Sequence, residues 1–305
     1  MTSLFFNVSH SRYKVTTLVQ TKTQHIQKVD ISSGLVFFDL SLFKHPEKTI
    51  EVKNPDKMVA IVVMKKGNIS IFDNKEQKTH TLKENNIYLF SSSKQDFSLT
   101  LPDAQATEVF VLFIADFILK RYLSLDPKEP IDYLYQQTQN NYSLHLINQQ
   151  PLDALTHYLI KRIKKTDDTI MMHSILGEHR VIEFMMHRFL LLDIIDGEIE
   201  KGELEVALRA KKHLLQHLVS PPTISQLAHI CATNESKLKL SFKKVHKMTP
   251  YAYIQKLRLE KANILLREHC LSVGEIAKEV GYQHQGNFSK LFFKTYGVYP
   301  KELKT

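Results

Sequence analysis

From about Gln24 to Ile114 the chain is built from short β-branched and aromatic runs: Leu35–Phe38, Met58–Met64, Ile69–Phe72, Ile87–Phe90, Phe97–Leu101 and Glu108–Ile114. Turn residues such as Lys66-Gly67-Asn68 and Asp73-Asn74 separate them. Runs of this length and spacing predict strands, and many of them in succession predict a barrel or a sandwich. After Ala115 the apolar period lengthens. Leu152, Leu155, Tyr158, Leu159 and Ile163, then Ile175, Val181, Phe184, Met185, Phe189 and Leu192, recur at helical steps. Two or three packed helices follow from this, with a face left for the strands or for a second subunit. A further stretch, Glu203 to Leu218, runs into Val219-Ser220-Pro221-Pro222, where two prolines forbid helix continuation and mark a domain boundary.

Beyond that boundary the pattern repeats. Leu227-Ala228 corresponds to Ile276-Ala277, Leu238 to Phe288, Phe242 to Phe292, and Pro250 to Pro300. The offset is 49 residues at Leu227 and 50 at Phe242, so one residue has entered the second copy, between Gly281 and His284. Each copy opens with a capping box: Thr223 with Gln226 three residues on, and Ser272 with Glu275. Short helices are predicted from Ile224 to about Cys231 and from Val273 to about Val280. The second helices of the copies are predicted from about Glu235 to Val245 and from about Gln285 to Tyr296. Leu238 with Phe242, and Phe288 with Phe292, bury one stripe of each second helix. The opposite faces then carry Ser236, Lys239, Leu240 and Lys243 in one copy, and Gly286, Ser289, Lys290 and Phe293 in the other. Thr249 is a good cap and Pro250 suits a first helical position, so Tyr251 to Glu268 reads as a joining helix of about five turns.

The charge sharpens this picture. The net +9 is unevenly spread: Lys201–Thr305 holds 18 Lys+Arg against 8 Asp+Glu, a net of +10, and the first 200 residues hold 23 against 24. Cations gathered in one domain release counterions from a phosphate backbone, which makes a polyanion the expected partner. Two helix, tight turn, helix units with basic second helices are the outline of a reader of two successive segments of duplex DNA. A joining helix stiff enough to hold the second helices about 34 Å apart would let both enter one face of the duplex.

The residues Leu227-Ala228, Ser241-Phe242-Lys243-Lys244, Met248-Thr249-Pro250, Arg258–Ala262, Leu265-Leu266, Val273–Ala277, Val280-Gly281-Tyr282, Asn287–Phe292 and Tyr296–Pro300 closely resemble the AraC/XylS family of bacterial transcription regulators, over about Ser220 to Lys304. The run Pro221–Ile224 with Asn234–Lys239, and more weakly Gly177–Arg180, is similar to the siderophore-responsive subgroup of the pyochelin-uptake regulator. The resemblance implies an α+β chain: a jelly-roll or cupin-like, effector-binding β-barrel over 1–115, a helical dimerisation and linker region over 116–219, and a tandem helix-turn-helix DNA-binding domain over 220–305. It places base reading on Ser236, Lys239, Leu240, Gln285, Gly286, Ser289 and Lys290, and phosphate contacts on Lys243, Lys244 and Lys294. The family often carries larger polar groups at the positions of Leu240 and Gly286. Arg258 takes a family position that ties the joining helix to its domain. The implied partners are promoter DNA, a small-molecule effector, RNA polymerase for an activator, and a second copy of the chain.

Other chemistry is poorly represented. His173, His179 and His187 stand at steps of six and eight residues, which do not gather metal ligands on one helical face, and the barrel segment has no His-x-His pattern. No metal or cofactor is therefore expected. Cys231 and Cys270 form no CxxC motif, and Cys231 reads as a small buried group. An enzyme with a DNA-binding appendage would need a reactive cysteine upstream, and none precedes Cys231, so no catalysis is expected. The sparse cysteines, with no signal segment or membrane span, point to a cytoplasmic protein. A ligand-independent regulator, or an adaptor whose barrel is filled, is the alternative; the interior volume separates the two.

Overall fold

The computed structural model describes residues 2–5, 13–43, 48–53, 57–92, 96–101, 106–124, 129–140, 144–166, 172–192, 200–268 and 271–304. The first 115 residues supply the strands β1 (Thr2–Phe5), β2 (Lys14–Gln20), β3 (Gln24–Ser32), β4 (Leu35–Leu42), β5 (Lys48–Lys53), β6 (Met58–Lys66), β7 (Ile69–Asp73), β8 (Lys78–Leu82), β9 (Asn86–Ser92), β10 (Phe97–Leu101) and β11 (Thr107–Ala115). Helices α1 (Asp116–Lys120) and α2 (Pro130–Asn140), strand β12 (His145–Pro151), and helices α3 (Ala154–Lys164) and α4 (His173–Phe189) follow. Then come α5 (Lys201–Gln216), α6 (Ile224–Ile230), α7 (Glu235–His246), α8 (Pro250–Glu268), α9 (Val273–Glu279), α10 (Gln285–Tyr296) and α11 (Pro300–Leu303).

The chain divides into two compact units, Met1–Leu152 with Leu159–Leu192, and Asp153–Tyr158 with Asp193–Thr305. In the first, one sheet has the order β1-β5-β10-β7-β8 and the other β12-β9-β6-β11-β4-β3-β2. Every pairing is antiparallel except that of β1 with β5. The α+β composition is as expected, but the expected barrel is not closed. Among the described residues each ladder joins strands within one sheet, and the two sheets meet through a shared apolar core that includes Leu40, Val62, Ile71, Phe90, Phe97 and Val111. The reason lies in β6 and β11, whose residues are buried on both faces. One face fills the space between the sheets. On the other, Phe110 meets Phe184 of α4 edge-on at 6.2 Å, and Gly177 of α4 approaches Ile31 so closely that a Cβ there would lie 3.2 Å from its methyl group. A helix thus covers the outer face that a closed barrel would expose.

Among the described residues the second unit is all helical. Val206, Ala210 and Leu214 on α5 share a core with Leu227, Ala228, Cys231, Leu238, Phe242, Tyr253 and Ile254. α5 is therefore a supporting helix of this unit, a role the sequence pattern had not assigned. The i, i+4 spacing of its three buried residues was the available signal. Asn263, buried on α8, accepts from the Leu155 N–H at 2.8 Å and donates to the Asp153 carboxylate at 3.0 Å, which accounts for the short segment Asp153–Tyr158 clustering here.

Candidate nucleic-acid interface

Each reading unit is assembled by local chemistry. The Gln226 N–H donates to Thr223 Oγ1 at 3.3 Å, and the Thr223 N–H donates back to the Gln226 side chain at 2.9 Å. Ser272 and Glu275 repeat this at 3.2 and 2.7 Å. Each box satisfies two otherwise orphan N–H groups, and losing a cap costs about 1 kcal/mol. The hydrogen bonds to Ser272, side chain first and then backbone, hold the Glu275 carboxyl below its ordinary range.

The turns between paired helices solve the same geometric problem with different residues. Ala232 has φ 51° and Gly281 has φ 90°. The turns close through Thr233 N–H to Ala228 O at 3.0 Å and Tyr282 N–H to Ala277 O at 2.8 Å. Asn234 then caps α7, its side chain accepting from the Lys237 N–H at 2.8 Å. His284 makes no side-chain cap at the start of α10. The inserted residue lies in the segment between Gly281 and His284, where the sequence placed it, and both helices keep their buried stripes.

Those stripes orient everything else. Leu238 and Phe242 are fully buried on α7, as are Phe288 and Phe292 on α10, and full burial of such a side chain is worth roughly 1.5–3 kcal/mol over exposure. In the first unit Phe242, His246 and Tyr253 form a ring cluster with centroids 4.6–5.4 Å apart. In the second, Tyr282, Phe288, Phe292 and Tyr296 stand in sequence at 4.7–5.6 Å. With one face so anchored, Ser236, Lys239, Leu240 and Lys243 are exposed together on α7, and Gln285, Gly286, Lys290 and Lys294 are exposed on α10 with Ser289 half-buried. Each set is a ridge at steps of three and four residues, the form that fits a major groove.

The two ridges differ in detail. Lys239 pairs with Glu235 one turn earlier at 3.3 Å; both are exposed, so the pair is weak and exchangeable. Lys244, assigned to phosphate by the resemblance, is 2.5 Å from Glu203 of α5, whose carboxylate is mostly covered. Leu240 is 64% exposed, an apolar group held out in solvent. A Cβ placed on Gly286 would meet nothing within 4 Å, so that position is open. Phe293 stacks on Tyr299 at 4.4 Å and 18° beside the ridge. Arg258 of α8 donates to the Leu218 and Val219 carbonyls at 3.0 Å each and lies over the Tyr282 ring at 5.4 Å, so it joins α8, the segment before α6 and the second turn. Among the described residues no group of three or more His, Cys, Asp or Glu side chains is gathered to hold a metal ion, and no helix is long and apolar enough to cross a membrane.

Two helix-turn-helix units coupled by one long helix and presenting parallel sets of exposed polar and basic residues define a tandem helix-turn-helix DNA-binding domain. A helix-turn-helix domain family model matches residues 227–305. The chain is 27% identical over 154 residues to the probable transcriptional regulator LumQ of Photobacterium leiognathi, an alignment covering 49% of this chain and 59% of LumQ. It is 34% identical over 84 residues to the transcriptional regulator AlkR of Acinetobacter baylyi, covering 28% of each. The chain thus spans less than two thirds of the length of these relatives. Among solved structures, apo ToxT from Vibrio cholerae is 17% identical with a TM-score of 0.35, covering 89% of this chain and 97% of that one. An AraC-type regulator from Chromobacterium violaceum is 21% identical with a TM-score of 0.33, covering 34% and 94%. Residues 227–305 thus carry a helix-turn-helix domain, and over this part the chain is similar to bacterial transcription regulators.

Proposed function

We propose that this protein binds promoter DNA by inserting α7 and α10 into successive major grooves, and that its N-terminal unit governs that binding. Ser236, Lys239, Leu240, Gln285, Gly286, Ser289 and Lys290 face the bases. Lys243, Lys244 and Lys294 hold phosphates, Lys244 after release from Glu203. The protein acts as a homodimer, and RNA polymerase is the further partner where it activates. The observation carrying this reading is the pair of equivalent exposed ridges, each set by a buried aromatic stripe, in the part of the chain that holds the excess positive charge.

Selection of bound sequences from a random duplex library, followed by titration of the winner and of unrelated DNA at several salt concentrations, tests it. Lys239→Ala or Lys290→Ala should lower the preference for the selected site by about tenfold, in the range of one base contact. Lys243→Ala should weaken all sequences alike and reduce the salt slope by about one. Unchanged discrimination in both base-face variants refutes the assigned face.

An effector in the N-terminal unit is the natural source of control, yet one observation favours the ligand-independent reading. Among the described residues the cavity between the sheets is about 40 Å³, lined by Ile50, Ile69, Phe90, Phe97, Val111, Phe113 and other apolar side chains. Small-molecule sites usually run from about 300 Å³ and carry a few placed polar groups. This interior supports a packed scaffold that acts through its surfaces. Native mass spectrometry of the purified full chain decides: a one-to-one small-molecule adduct lost on unfolding restores the effector reading.

A further inference from the structure

We propose that the stacked rings of Phe293 and Tyr299 are a contact of the second reading unit with the sugars of the DNA backbone, an apolar counterpart of the cation that the first unit holds at the same place. The inference rests on the DNA-reading assignment above and adds two residues and a kind of contact that it does not contain. Across the 50-residue offset of the repeat, Phe293 stands where the first copy has Lys243, and Tyr299 where it has Thr249. A cation and a small hydroxyl in one copy thus correspond to two aromatic rings in the other. Those rings lie 4.4 Å apart with 18° between their planes, so the two differences make one feature.

The backbone holds that feature in place. Gly297 ends α10 with φ 73° and donates its N–H to the Phe293 carbonyl at 2.8 Å, which turns the chain back toward the helix. Tyr299 then opens α11, its N–H donating to the Glu302 carboxylate at 2.6 Å. The stack is nevertheless not core: Phe293 and Tyr299 are 42% and 41% exposed, whereas the adjacent Phe292 is fully buried. Rings already fixed against each other offer apolar surface at little cost in ordering when a partner arrives.

Position and charge identify the partner. Phe293 follows Ser289 and Lys290 at steps of four and three, which continues the exposed ridge of α10 by one turn. Lys290, Lys294 and Lys301 are all exposed around it in the chain, and the carboxylate of α11, Glu302, is engaged by the Tyr299 N–H. An apolar surface framed by cations fits a strand in which deoxyribose rings alternate with phosphates. In the first unit the same place offers the Lys243 ammonium to a phosphate. The second unit therefore grips its strand here without releasing a counterion, and the contact persists at salt concentrations that weaken Lys243.

The test is the affinity of the full-length chain for duplex DNA at several salt concentrations, followed by fluorescence anisotropy, with circular dichroism melting of every variant. Phe293→Ala should weaken binding about fivefold, on the selected site and on unrelated duplex alike, with the salt slope unchanged. Phe293→Lys, which copies the first unit, should recover affinity at low salt and steepen the slope by about one. Tyr299→Ala should reproduce part of the Phe293→Ala loss by releasing the ring. Wild-type affinity in Phe293→Ala, or an unaltered slope in Phe293→Lys, overturns the contact. A loss confined to sites with one particular thymine, and mimicked in the wild type by deoxyuridine there, overturns the sugar contact in favour of a base methyl group. Variants that match a duplex-binding wild type overturn the proposal and leave the DNA-reading assignment standing, while a wild type that binds no duplex at low salt overturns both.

Discussion

Gly281 and Ala232 occupy the same place in the repeated unit, yet exchanging their residue types should have very unequal consequences. At Gly281 the backbone has φ 90°, beyond the left-handed well that an L-residue tolerates, so alanine brings about 1 kcal/mol of conformational strain. Its Cβ would also lie 2.8 and 2.9 Å from Arg258 Nη2 and Cζ and 2.9 Å from the Val219 carbonyl oxygen. The guanidinium has little freedom to move away, because it donates to both the Leu218 and Val219 carbonyls. Loosening one charged hydrogen bond costs about 1.5–3 kcal/mol. Gly281→Ala should therefore destabilise the C-terminal unit by about 2–4 kcal/mol, and lower its melting temperature by about 4–8 °C per kcal/mol. Ala232→Gly relieves a left-handed alanine at φ 51° while adding unfolded-chain freedom, so it should stay within about 1 kcal/mol of the wild type. Urea unfolding followed by circular dichroism measures both, and Gly281→Ala in an Arg258→Ala background should cost less than it does alone. If Gly281→Ala changes stability by less than about 0.5 kcal/mol, or if its cost is unaltered without Arg258, the proposed clamp of Arg258 on the second turn is wrong.

Two other outcomes follow from single positions. Gly286 lies early in α10 with no atom near a prospective Cβ, so Gly286→Ala should raise C-terminal stability by up to about 1 kcal/mol without steric penalty; a loss of stability in the same urea titration would show the position to be constrained. Burial pushes the Cys231 thiol pKa up, with Arg209 opposing weakly, so at pH 8 the thiol stays protonated and should react with a thiol reagent far more slowly than in urea-unfolded chain. Labelling of the native protein as fast as the unfolded chain would contradict that placement, and the rate for this cysteine is separable from that of Cys270 by peptide mapping.

The C-terminal helices were legible nearly to the residue because local and distant signals agreed. Two capping boxes, two prolines at helix starts and a repeat with one inserted residue each pointed to the same boundaries; α10 runs from Gln285 to Tyr296 and α8 starts at Pro250, both as expected. The N-terminal unit was legible as strands but not as an arrangement, since sheet closure depends on pairings between distant segments that alternation cannot specify. β12 shows why. His145–Pro151 pairs with β9 more than fifty residues earlier, and with hardly a buried residue it carries little apolar alternation to announce a strand. The candidate reading face divides in the same way. Its residues could be placed on one helical side by spacing alone, whereas the ion pair of Lys244 with Glu203 joins positions 41 apart and needed the fold to appear. That pair also makes the two ridges unequal. The first unit rests on α5, which covers part of its core and ties down one of its lysines, while the second is clamped through Arg258 at its turn. A rearrangement of α5 that separates Glu203 from Lys244 would therefore change the charge offered by α7.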